Sequence, residues 1–141
     1  MALISGLHHV GYIVPDLDRA IPIFAEKLGL PLTKRVEAPH MGLEVAVFRL
    51  GDGSTGIELM KPTTESGPFA EFLRANPSGA LHHVAYATDR SLTEAAEAVK
   101  NCGLHLAANT PDGPIDSPVG WRIVNIDPTG TQGLLTQLGE H

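Results

Sequence analysis

The sequence has a single cysteine, Cys102, in 141 residues. A lone thiol forms no intramolecular disulfide and builds no cysteine-rich zinc site, and such usage fits a reducing compartment. Cations are also scarce: 10 Lys and Arg face 16 Asp and Glu, for a net charge of −6, and no basic run is present. That balance excludes nucleic acid as a partner, because phosphate binding draws on a cluster of positive charges. No apolar stretch approaches the roughly 18 residues of a membrane-spanning helix. The N-terminus, MALISGLHHV, lacks the basic start and continuous apolar run of a signal peptide. These absences predict a soluble, cytoplasmic protein with neither nucleic acid nor membrane as partner. What the chain has is a hydrophobic share of 43% against 18% charged residues, enough to form one core over residues 1–141 without staples.

Self-similarity is the strongest signal in the chain. The run Leu7-His8-His9-Val10-Gly11-Tyr12 returns 74 residues later as Leu81-His82-His83-Val84-Ala85-Tyr86. Gly56-Ile57-Glu58-Leu59-Met60 is answered by Gly133-Leu134-Leu135-Thr136-Gln137-Leu138, each following its own histidine by about fifty residues. Two copies of one module are therefore expected, at 5–62 and 80–139, joined by a linker over 63–79 that carries a short helix from Pro68 to Asn76.

Hydrophobic periodicity divides each module. In the first, Asp16 caps a helix predicted over 17–28, with Leu17, Ile21, Phe24 and Leu28 on one stripe and Gly29 as the stop. Pro22 sits awkwardly inside it, since it lacks a backbone donor. In the second, Ser91-Leu92-Thr93-Glu94 is a capping box, followed by Leu92, Ala95, Val99 and Cys102 at helical spacing and by Gly103. Strands are predicted at 7–14, 31–37, 43–50 and 55–61, then at 81–87, 104–108, 120–126 and 132–138. Gly51-Asp52-Gly53 and Asp127-Pro128-Thr129-Gly130 read as turns. Residues 109–119 are too rich in proline and glycine to pack as an element and are expected to form a loop that covers a site. The fold class is α+β: two tandem βαβββ modules with pseudo-two-fold symmetry forming a metal-binding cleft.

Side chains alternate across a strand, so His9 shares a face with Gly11 and Ile13, and His8 shares the other with Val10 and Tyr12. Packed about an approximate two-fold axis, equivalent strands meet, and His9, Glu58, His83 and Gln137 converge. A single strand histidine is more often a core residue than a ligand; four polar residues at repeat-equivalent positions favour a site. Two imidazoles, a carboxylate and an amide oxygen suit a divalent metal ion, with Co, Mn, Zn, Ni and Fe all admitted. An inward-facing Glu is costly unless paired or metal-bound. His8 and His82 are expected to support or face the core, His105 to be an ordinary strand residue, and His141 to lie in a loose C-terminus.

On these residues the chain resembles the vicinal oxygen chelate superfamily, the glyoxalase, bleomycin-resistance and dioxygenase group. The runs Gly56 to Pro62 (GIELMKP), Ser66 to Leu73 (SGPFAEFL) and Gly79 to Ala85 (GALHHVA) are most similar to its methylmalonyl-CoA epimerase branch. The resemblance implies metal ligands at His9, Glu58 and His83. It places at Gln137 a position normally held by a Glu that is both ligand and base, so the resemblance, read with the internal symmetry, shifts the base to Glu58. Before the third strand of the second module, where such epimerases carry a glycine-rich turn and a basic residue, this chain departs from the pattern with Pro118-Val119-Gly120-Trp121-Arg122; Arg122 is a partial substitute for the basic residue, and Trp121 is read as a pocket wall or a core residue.

The activity implied is that of a metal-dependent isomerase that abstracts and returns a proton next to a carbonyl. Its substrate is a small acyl or keto acid, as a CoA thioester in the epimerase case, and the protein a homodimer. Glu58 is the first candidate for the catalytic base; Glu44 and His40 are the candidates for the second and read as surface residues. The same fold hosts other chemistry, so the alternatives are a glyoxalase-type lyase, an Fe(II) dioxygenase, and a metal-free small-molecule-binding protein of the bleomycin-resistance kind.

Overall fold

The computed structural model describes residues 2–140; His141, expected in a loose C-terminus, lies outside them. The elements in chain order are β1 (Gly6–Ile13), α1 (Leu17–Pro22) continued by a π-helical turn (Ile23–Lys27), β2 (Leu32–Ala38), a 3-10 turn (Pro39–Met41), β3 (Leu43–Leu50), β4 (Thr55–Pro62), α2 (Pro68–Ala75), β5 (Ala80–Thr88), α3 (Leu92–Asn101), β6 (Ile115–Asp116), β7 (Arg122–Ile126), a second 3-10 turn (Pro128–Thr131) and β8 (Thr136–Glu140). This is the α+β pattern of two βαβββ modules. Among the described residues no helix is long and apolar enough to cross a membrane. The chain forms two compact units, one over Val10–His82 and one made of the segments up to His9 and from His83 on. The boundaries fall inside the two repeated LHHV strands.

In the unit over Val10–His82 the strand order is β2-β3-β4-β1. β2 and β4 both run antiparallel to β3, and Gly51-Asp52-Gly53 forms the β3–β4 hairpin, Gly51 and Gly53 having φ of 53° and 89°. Such left-handed backbone is open to glycine at little cost. Helix α1 lies on one sheet face, where Leu17 packs with Ala46, Phe48 and Leu59, and Tyr12, Val14, Ile21 and Phe24 close around them. Because side chains alternate, Val47 and Glu58, partners in the β3–β4 register, occupy the opposite face.

The continuous helix expected over 17–28 differs in its second half. Asp16 caps the start, its side chain accepting from the Arg19 amide at 3.1 Å. Pro22 offers no N–H, and after it the backbone widens into a π turn, in which the Leu28 amide donates to the Ile23 carbonyl five residues back at 2.9 Å.

In the other unit the order is β5-β8-β7-β6, with β5 and β8 parallel and the remaining neighbours antiparallel. Helix α3 begins with the expected capping box: Ser91 Oγ accepts from the Glu94 amide at 3.2 Å, and the Ser91 amide donates to Glu94 Oε2 at 3.3 Å. Its Leu92, Ala95, Ala96 and Val99 pack against Val124, Ile126 and Leu138. Cys102, predicted on that stripe, lies past the helix end and is exposed.

The predicted strand at 104–108 is reduced to one bridge, Leu106 opposite Ile126. Pairing with β7 resumes only at Ile115 and Asp116, opposite Ile123 and Arg122. The edge strand is broken in two, and the chain between its halves loops out of the ladder. Thr110 anchors this loop, its Oγ1 donating to the Asn125 carbonyl and accepting from the Asn125 amide, each at 3.1 Å. The last strand starts at Thr136 rather than 132, because Pro128–Thr131 closes as a 3-10 turn and Gln132 then adopts a positive φ of 56°.

Candidate metal centre

On β5, Tyr86 packs toward the α3 core, so His83, Ala85 and Ala87 face the other way. β8 runs parallel beside it with Gln137 opposite Ala85. Leu138 joins the α3 core while Gln137 and Gly139 take the face shared with His83. His9 comes to the same place: its Nε2 lies 3.0 Å from His83 Nε2, and both residues are buried, 1% and 5% exposed. Three of the four predicted ligands, His9, His83 and Gln137, thus belong to one unit and, in the case of the histidines, touch.

Gln137 Oε1 is buried with no hydrogen-bond partner among the described residues. An orphaned buried amide oxygen costs on the order of 1–3 kcal/mol unless something donates to it or it binds a cation. It lies on the strand face that also carries His83.

Glu58 belongs to the other unit. It is 6% exposed, and burial alone pushes its carboxyl up to about 7. A carboxyl poised there exchanges a proton readily near neutral pH.

Aromatic rings pack on His8 and His9 in one unit and on His82 in the other. Trp121, 9% exposed, stacks on His9 with ring centroids 4.3 Å apart and meets His8 edge-on at 5.2 Å. Alternation predicts opposite faces for His8 and His9, yet both rings are buried. His82 sits between Phe69 and Phe72 of α2, centroids 5.4 and 4.9 Å away, and its burial there lowers its pKa to about 4. It is partly buried against that helix.

The candidates for a second base lie elsewhere. His40 is exposed on the 3-10 turn after β2. Glu44 accepts from Arg35 Nη2 at 2.8 Å, and Arg35 also pairs with Asp18 at 2.8 Å. His105 is exposed, its carbonyl accepting from the Asp127 amide. Arg122 is half exposed, with Glu140 Oε2 at 3.7 Å and Asp116 at 3.9 Å. Sequence reasoning missed Gly139, whose signal was available: a glycine inside a strand often marks close approach of another group.

The chain belongs to the Glyoxalase/Bleomycin resistance protein/Dioxygenase superfamily, whose model matches residues 8–123. Within it, the chain is similar to epimerases. It is 30% identical over 136 residues to the ethylmalonyl-CoA/methylmalonyl-CoA epimerase of Cereibacter sphaeroides, a match covering 96% of this chain and 98% of that protein. It is 34% identical over 86 residues to the human mitochondrial methylmalonyl-CoA epimerase, covering 61% of this chain and 48% of the human one. The crystal structure of methylmalonyl-CoA epimerase from Mycobacterium tuberculosis superposes with a TM-score of 0.85 at 27% identity, covering 99% of this chain and 90% of that one.

Proposed function

We propose that this chain is a metal-dependent epimerase that removes and returns a proton on a carbon beside a carbonyl, acting on a small acyl group carried as a CoA thioester. A divalent cation would be held by His9, Glu58, His83 and Gln137. The observation that carries this reading is the 3.0 Å approach of the buried Nε2 atoms of His9 and His83. Two imidazole lone pairs face each other at that distance only with a proton or a cation between them. The orphaned Gln137 oxygen adds a third donor on the same face. His9, Glu58 and His83, all buried, each offer one ligand atom, and a bound cation would favour the charged form of the Glu58 carboxyl. The donor set fits a divalent cation such as zinc, cobalt, nickel, manganese or iron(II). The relatives' names support the substrate class, since the full-length match is an ethylmalonyl-CoA/methylmalonyl-CoA epimerase.

When bound, the cation supplies Lewis acidity to the substrate's carbonyl oxygens. Glu58 acts as the base: the α C–H bond breaks, its proton passes to the carboxylate, and the electron pair moves into the carbonyl. Burial raises the Glu58 carboxyl in the metal-free chain, the direction that makes its carboxylate a stronger base. Inversion needs a second group on the opposite face. Glu44, paired with Arg35, and the exposed His40 are not assigned that role. Trp121 walls the histidine side and keeps water from it. The proposal includes a homodimer, to be checked by sedimentation.

The test is elemental analysis of protein purified without added metal, beside the His83→Ala variant, followed by deuterium uptake at the α carbon of methylmalonyl-CoA in heavy water. Stoichiometric metal that the variant lacks, with exchange that Glu58→Gln abolishes, is the expected result. Metal without exchange would replace the epimerase reading with lyase or dioxygenase chemistry, and absence of metal would favour the binding protein.

A further inference from the structure

His8 stands beside His9 in sequence, and its surroundings specify what it does. In β8, Gly139 is flanked on both sides, by Ala87 of β5 and Ile123 of β7. A Cβ built on it would lie 2.5 Å from His8 Cγ, 2.7 Å from Cδ2 and 2.8 Å from Nδ1. Only glycine leaves the space that the His8 imidazole fills.

In that space both ring nitrogens of His8 have partners. Nε2 is 3.0 Å from the Glu140 carbonyl oxygen. A carbonyl only accepts, so Nε2 carries the hydrogen. In a neutral imidazole the other nitrogen is then an acceptor. His8 Nδ1 lies 2.8 Å from His9 Nδ1, so His9 is the donor there and its own Nε2 holds a lone pair. That lone pair accepts from His83 Nε2 at 3.0 Å. The Glu140 carbonyl thus fixes a direction through three imidazoles. The opposite tautomer of His9 would set two lone pairs against each other at 2.8 Å.

We propose that His8 is a positioning residue that locks His9 as its Nδ1–H tautomer and thereby presents the His9 Nε2 lone pair as a ligand. Gly139 and the Glu140 carbonyl hold His8, and Trp121, stacked on His9 at an interplanar angle of 27° and edge-on to His8 at 88°, holds both ring planes. The ligand half of this inference rests on the reading of His9 and His83 as metal ligands; the tautomer half does not. Partners that orient a ligating histidine through its second nitrogen typically change metal affinity about 10–100-fold when removed.

The experiment has two readouts. Two-bond proton–nitrogen spectra of the metal-free protein report which nitrogen of His9 carries the hydrogen. Chelator competition with cobalt(II) reports affinity in the wild type and in His8→Ala, His8→Asn and Gly139→Ala. We expect wild-type His9 to be protonated at Nδ1, and His8→Ala to lose that preference and to bind cobalt about 10–100-fold more weakly. His8→Asn, whose Oδ1 replaces the Nδ1 acceptor, should restore most of both. Gly139→Ala should weaken cobalt binding by displacing the ring. Wild-type His9 protonated at Nε2 would overturn the inference, and so would cobalt held as tightly by His8→Ala as by the wild type. A wild type with the Nδ1–H tautomer that binds no cobalt would instead sink the metal reading and leave the tautomer lock standing. Should His8→Ala fail to fold, the wild-type spectra and His8→Asn still decide the matter.

Discussion

Glu58→Gln in metal-free protein should change how stability depends on pH. Burial lifts the Glu58 carboxyl from 4.5 to about 7, so between those values the folded chain holds a proton that the unfolded chain has released. Folding is then favoured at the acid end, and the contribution disappears as pH rises through the window. At about 1.4 kcal/mol per pH unit, the full loss between pH 4.5 and pH 8 is about 3 kcal/mol. The glutamine side chain keeps the shape and has no proton to lose. The wild-type curve by itself is a poor probe, because His82, lowered from 6.5 to about 4 by burial, acts with the opposite sign: the unfolded chain binds the proton more readily, so stability falls as pH drops through 6.5. The two effects overlap and partly cancel. The clean quantity is the stability of the variant minus that of the wild type, measured by urea unfolding with chelator present from pH 4.5 to pH 8. This difference should climb by up to about 3 kcal/mol with rising pH. Cobalt added at pH 8 should stabilise the wild type more than the variant. A difference constant across the range would refute the buried, proton-holding Glu58.

Two further perturbations test the site and the fold beneath it. Gln137→Glu converts the orphaned amide oxygen into a charged ligand, so it should tighten cobalt binding while lowering metal-free stability above neutral pH, read by chelator competition and urea unfolding. Leu138→Ala removes a fully buried side chain from the α3 core and should cost about 2–5 kcal/mol of stability in denaturant unfolding, with cobalt affinity changing far less.

Much of this protein was legible in its sequence because the signals are local or repeated. Alternation of apolar and polar residues marks the strands, since side chains point to opposite faces at every step. Ser91 and Glu94 announce the start of α3, because a capping box is satisfied within four residues. The repeated LHHV segments point to two copies of one module and so to His9, His83 and the paired positions Glu58 and Gln137. What depends on neighbours distant in the chain had to wait for the fold. Period-two alternation separates His8 from His9, but whether His8 meets water or protein depends on Gly139, more than a hundred residues away, leaving room for a ring. His82 differs from its repeat partner His8 because the linker helix lays Phe69 and Phe72 over it. The strand predicted at 104–108 is broken because its pairing is decided by β7, and an edge strand bonded on one side tolerates a looped-out segment that a central strand does not. The sequence by itself determined the modules and the residue types that a metal would use. Only the tertiary structure decided which ring nitrogens face each other, which amide oxygen is left without a donor and which carboxyl is buried, because hydrogen-bond direction and desolvation are set by the groups that surround a side chain, not by those that precede it.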